Sequence, residues 1–193
     1  TTIFGNKVAS KNGVEGAGVY LSGAELTMQE NSKISGNSCV SGEYASSYGG
    51  GVYINNSSTF EMTSGEISKN SAKYGGGVSV SGGTFIMNGG SISTNTVSSK
   101  GNGVYVVKHT NSPTFNISGD AYITENDVYL TADQKITITG NLSTGIVATI
   151  TPQNYEETVQ VLAAGNGITL SEEQVGKFEV TETDFFTSII TYE

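Results

Sequence analysis

Carboxylates, one histidine, one thiol and a row of tyrosines are the groups in this chain with chemistry to offer. Cleaving a glycosidic bond needs two carboxyl groups converging on it, one protonating the leaving oxygen while the other attacks or activates water. The chain holds four aspartates, Asp120, Asp127, Asp133 and Asp184, of which Asp120 and Asp127 are the pair to test. Both fall where Asp commonly serves turn chemistry. Arginine, the base of calcium-dependent lyases resembling pectate lyases, is absent. His109 stands beside Lys108 in a polar segment with no second histidine, so no metal set can be assembled around it. The glycine runs 49–51 and 75–77 have no Lys-Ser/Thr behind them and so are not phosphate loops. No catalytic residue, cofactor or metal is expected.

The elements that carry these residues are written as a repeat. One word returns five times: Ile3-Phe4-Gly5-Asn6, Ile34-Ser35-Gly36-Asn37, Ile67-Ser68-Lys69-Asn70, Ile92-Ser93-Thr94-Asn95 and Ile123-Thr124-Glu125-Asn126. Another alternates with it: Gly18-Val19-Tyr20-Leu21, Gly51-Val52-Tyr53-Ile54, Gly77-Val78-Ser79-Val80, Gly103-Val104-Tyr105-Val106 and Asp127-Val128-Tyr129-Leu130. A third supplies Leu26/Met28, Phe60/Met62, Phe85/Met87 and Phe115/Ile117, so all three methionines occupy one repeat position. A period of about 25–33 residues with alternation inside each word means short strands stacked coil on coil. The predicted fold is all-β, a right-handed single-stranded parallel β-helix: a three-sided solenoid with irregular C-terminal coils and a cap. Leucine-rich repeats need several leucines per unit, and the chain has six in all.

Asn6, Asn37, Asn70, Asn95 and Asn126 read as a structural ladder at a corner, since asparagine tolerates the left-handed region and stacked amides pair between layers. Cys39 shares a buried repeat position with Ala72 and Val97 and reads as a small core residue. As the only cysteine it forms no internal disulfide. The spacing from each ladder asparagine to the next Val is 13, 15, 8, 9 and 2 residues, so insertions gather on one edge, the edge where solenoids often meet partners. The middle residues of the glycine words form an outward row, Tyr20, Tyr53, Ser79, Tyr105 and Tyr129. These rings either stack against sugars or a partner, or support one another between coils beneath the edge loops.

Residues 1–130 are thus the repeats, and 131–193 the final irregular coils and cap of the same domain. Within the latter, Thr151-Pro152 with the following Gln-Asn-Tyr-Glu-Glu, and Ser171-Glu172-Glu173-Gln174 before Gly176, each predict one capped helical turn. The first coil enters at the Ile-x-x-Asn word with no polar cap, which leaves an edge for more β-helix or another molecule to cover. A net charge of −9 with nine lysines argues against nucleic acid and against anionic membranes.

The joined words Asn70-Ser71-Ala72-Lys73-Tyr74-Gly75-Gly76-Gly77-Val78 resemble the repeats of bacterial surface proteins of the polymorphic outer membrane protein type, which link an aromatic-x-x-Asn motif to a Gly-Gly-aliphatic motif. Ile stands here in place of the aromatic residue, and there is no membrane barrel. Residues 127–180 look like the closing segment of large repeat-bearing surface proteins of spirochaetes and gut bacteria. The resemblance implies an extracellular, non-enzymatic adhesin, stalk or display module that binds glycans or host and partner proteins. The alternatives are a subunit that self-associates end to end through its N-terminal coil, and a polysaccharide-active enzyme.

Overall fold

The computed structural model describes residues 1–143, 145–155 and 159–181. Among them the chain is nearly all strand, with one four-residue helix, and every strand pair is parallel. Three sheets result. A seven-stranded sheet stacks the glycine words in chain order from Val19–Ser22 to Phe178–Val180. A nine-stranded sheet carries the methionine words, and a six-stranded sheet carries the residues that follow the first four ladder asparagines.

Register places like on like. Val19, Val52, Val78, Val104, Val128 and Ile150 follow one another across the first sheet. Leu26, Phe60, Phe85, Phe115 and Ile136 do so across the second. Their side chains meet in one continuous core in which Phe60, Phe85 and Phe115 stack at 5.2 and 4.9 Å, within 9° of parallel. Burying such a ring contributes roughly 2–3 kcal/mol, and because each coil is too small to close a core alone, stability comes from the stacking.

The division of the coil into faces differs from the sequence expectation. The methionine and Ile-x-x-Asn words share one sheet and in two coils fuse into single strands, Thr84–Ser93 and Thr114–Thr124. Between the two words the register shifts at Met87–Gly89, and Gly90 beyond it takes φ +85° before pairing resumes with Ala121. The third face is built from the segments after the asparagines: Lys7–Ser10 with Val14–Glu15, Ser38–Ser41 with Ser47–Tyr48, then the unbroken Ser71–Tyr74 and Thr96–Lys100. Ser71–Tyr74 pairs with both halves of the preceding coil, Ser71 with Ser38 and Tyr74 with Tyr48. The longer spacing of that coil is therefore one turn, residues 42–46, pushed out between two strands that keep their register.

Later strands extend the same sheets, Ile136–Leu142 and Leu162–Ala164 on the second, Ala148–Pro152 and Phe178–Val180 on the first. The helical turn at Ser171 is present as Glu172–Val175, its Ser171 side chain accepting from the N–H of Gln174 at 3.2 Å. The one expected from Thr151-Pro152 does not begin there: Pro152 ends a strand paired with Leu130, where its missing N–H is tolerated at the strand terminus, and the last residues of that segment lie outside the described ones. The expected closing cap beyond residue 181 lies outside the described residues.

Candidate functional site

Where the chain leaves the second sheet, Asn37, Asn70, Asn95 and Asn126 are buried, and Asn6 begins the row exposed. Asn6 donates through Nδ2 to Oδ1 of Asn37 at 2.9 Å, Asn37 to Asn70 at 2.9 Å, Asn70 to Asn95 at 3.0 Å and Asn95 to Asn126 at 3.0 Å. Each Oδ1 also accepts the backbone N–H of the asparagine one coil earlier. The second Nδ2 hydrogen goes back to the carbonyl of Ile3, Ile34 or Ile67. Asn37, Asn70 and Asn95 are buried, so each amide is a fully satisfied polar group in an apolar column. The left-handed residue in each word is not the asparagine but the one before it: Gly5, Gly36, Lys69, Thr94 and Glu125, at φ +53° to +71°. That residue turns the corner and aims the amide inward.

Of the two readings of the tyrosine row, the structure shows most of it covered, with rings stacked on one another. Tyr20 is half exposed, but Tyr53, Tyr105 and Tyr129 are 6%, 8% and 5% exposed, and Ser79 is fully buried. The cover comes from a second column on the adjoining sheet, made of the residue three before Gly18, Gly51, Gly77 and Gly103: Glu15, Tyr48, Tyr74 and Lys100, which are paired in register. Tyr48 touches both Tyr53 and Tyr105 with ring centroids 6.2 Å apart, and so spans the space that Ser79 leaves between them. Tyr74 stacks on Tyr48 and meets Tyr105, both at 5.2 Å, while Tyr105 stacks on Tyr129 at 5.7 Å. Lys100 closes the end, its Nζ 4.5 Å from the Tyr129 ring centroid and 2.6 Å from the Tyr129 hydroxyl. Burial pushes the Tyr105 phenol up to about 12, with Tyr48, Tyr74 and Tyr129 adding to it, and burial likewise raises Tyr53. His109 is exposed and sets its ring edge-on to Tyr48.

The remaining candidates sit apart. Asp120 lies in Thr114–Thr124 of the second sheet, exposed, and accepts from the Ser143 hydroxyl. Asp127 opens a strand of the first sheet and accepts the N–H of Asn102 at 2.7 Å. Each carboxylate is thus engaged by a different neighbour, on a different sheet. Among the described residues no three His, Cys, Asp or Glu side chains gather closely enough to hold a metal ion. Cys39 is buried with Val14, Ala17 and Ala72, and burial raises its thiol to about 11.

One aromatic side chain stands clear of all this. Tyr44 is 95% exposed at the tip of the 42–46 turn. The turn beneath it is fastened: Gly42 N–H to Ser10 O at 3.1 Å, Ala45 N–H to Gly42 O at 3.0 Å, and Lys73 Nζ to Ala45 O at 2.9 Å. The insertion edge pointed to this region, but no repeat word marked Tyr44 itself. No family model, curated protein or solved structure matches the chain.

Proposed function

We propose that the chain is a right-handed, three-sided β-helix that works without catalysis, as a display module on the outside of a bacterial cell. Parallel strands joined by crossovers are right-handed in nearly all known cases, which gives the handedness. The observation that carries the function is Tyr44, a large ring held bare on a fastened turn at the edge where the coils lengthen. An exposed tyrosine loses little side-chain freedom on contact and offers both an apolar face and a hydroxyl, which suits it to sugar rings or a protein partner. Val40, 42% exposed on the strand leading to the turn, extends the patch.

The residues that recur in type from repeat to repeat are spent on stacking coils, and Asp120 and Asp127 lie on different sheets with different partners. That favours adhesion over polysaccharide cleavage. The test is to present the chain to a panel of glycans and matrix proteins and to incubate it with the same polysaccharides. Retention without release of reducing or unsaturated ends supports the reading; turnover of any polysaccharide overturns it.

A further inference from the structure

In two successive coils a loop carries the chain from the first sheet to the second, and the two loops meet across a concavity. One is residues 107–113, between Val104–Val106 and Thr114–Thr124; the other is residues 131–135, between Asp127–Leu130 and Ile136–Leu142. Strand pairing on either side holds them in step, Val106 with Leu130 and Phe115 with Ile136. The space between them is about 360 Å³, and Thr137 and Ala163, paired on the second sheet, also line it.

Both loops are fastened. Val107 N–H donates to Val80 O at 3.0 Å and Thr114 N–H to Gly83 O at 2.9 Å, which pins the first loop at its two ends. In the second, Thr131 N–H donates to Val106 O at 3.1 Å, Gln134 N–H to Thr131 O at 3.1 Å and Ala132 N–H to the Gln153 side chain at 3.2 Å. Asp133 at its tip takes φ +64°, a conformation Asp tolerates in turns, and stands exposed.

The polar groups that line this space are not engaged by the chain itself. Lys33, Lys73, Lys100 and Lys177 each donate to an internal acceptor at 2.6–3.0 Å. Lys108 and Asp133 line the same concavity with opposite charges, yet among the described residues neither side chain has a hydrogen-bond or ion-pair partner, and they are not joined to each other. The hydroxyls of Ser112, Thr114 and Thr137 are free in the same sense. Lys135, bonded to Gln160 Oε1, adds a second ammonium, so the lining is positive on a chain of net charge −9.

We propose that this concavity binds one hexuronate residue of an acidic polysaccharide, its carboxylate on Lys108 and its ring hydroxyls on Asp133. A bare anion satisfies Lys108 but is repelled by Asp133, and a neutral sugar satisfies Asp133 but leaves Lys108 without a counter-charge. A sugar acid meets both. The aspartate only accepts, so it requires the donors that ring hydroxyls supply, while the Ser and Thr hydroxyls can give or take a hydrogen bond with the remaining ring oxygens. The volume lies in the range of small-ligand sites. Tyr44 stands on a turn of the third sheet, so binding here and binding through Tyr44 succeed or fail separately.

The probes are trimers of galacturonate, glucuronate and mannuronate, each with its methyl ester as neutral control, titrated into the intact chain while the amide resonances of residues 107–114 and 131–137 are followed. At least one acid is expected to shift both loops, and its ester to bind about tenfold more weakly, the loss of one charged contact. Lys108→Gln is expected to weaken the acid by about tenfold too. Asp133→Asn separates the proposal from plain charge attraction: it weakens binding if the aspartate holds ring hydroxyls, and tightens binding if lysines alone hold an anion. Both side chains are exposed and unpaired, so both variants are expected to unfold at the native midpoint. Resonances unmoved by every trimer, an ester or a Lys108→Gln chain that binds as well as the native pair, or tightening by Asp133→Asn overturns the proposal.

Discussion

A β-carbon on Gly51 would stand 3.0 Å from Nδ2 of Asn70 and 2.6 Å from the carbonyl oxygen of Gly77. The glycine word and the asparagine word are therefore one device: the absence of a side chain at the first leaves room for the amide of the second. Gly18 with Asn37 and Gly77 with Asn95 repeat the same 3.0 Å approach. We expect Gly51→Ala to lower stability by about 1–3 kcal/mol, the usual cost of forcing extra volume into a packed interior. Denaturant unfolding at unchanged slope is the check.

The ladder should contribute less at Asn6 than at Asn70. Asn70→Ala strands the N–H and Nδ2 of Asn37, both buried, so it is expected to cost about 3 kcal/mol or more at roughly 1–3 kcal/mol per orphaned group. Asn6 is exposed and water can replace it, so Asn6→Ala should cost about 1 kcal/mol or less. Equal losses at the two sites would mean that amide pairing contributes little.

Thr94 holds φ +53°, a conformation in which a β-branched side chain crowds its own backbone. Thr94→Gly should raise stability by about 0.5–1 kcal/mol, the relief of strain outweighing the entropy that glycine adds to the unfolded chain. A fall in the unfolding midpoint would show that the threonine side chain makes a compensating contact.

Tyr105 loses its proton less readily folded than unfolded. The folded state therefore holds more protons as pH rises through the ordinary phenol range, and stability falls with pH. Its contribution is complete below about pH 10 and lost as pH approaches about 12. Tyr105→Phe should flatten that decline, read as unfolding free energy against pH.

Cys39 should resist alkylation in the native chain and react once the chain unfolds, because burial both shields it and disfavours the thiolate. Rapid labelling under native conditions would place it outside the core.

What was legible in the sequence was whatever repeats. Asn37, Asn70 and Asn95 recur with the same neighbours, and Phe60, Phe85 and Phe115 share one register, so stacking follows from the words alone. The sequence left two readings of Tyr105 open, exposed or covered, because the choice depends on the angle at which two sheets meet. That angle brings Tyr48 and Tyr74 over the row, and the signal, tyrosine directly ahead of three glycines at both 48–51 and 74–77, names the covering residues only once the corner is known. Tyr44 was not legible for the opposite reason: it belongs to no repeat, and only the fastened turn shows that it is presented rather than loose.

The most direct measurement compares retention on a glycan and matrix-protein panel for the native chain, Tyr44→Ala and Tyr105→Phe. Tyr44→Ala is expected to lose about tenfold or more in affinity, as truncation of an aromatic anchor does, while Tyr105→Phe binds as the native chain does. Binding that survives Tyr44→Ala but falls with Tyr105→Phe would place the function in the buried tyrosine corner and contradict the account.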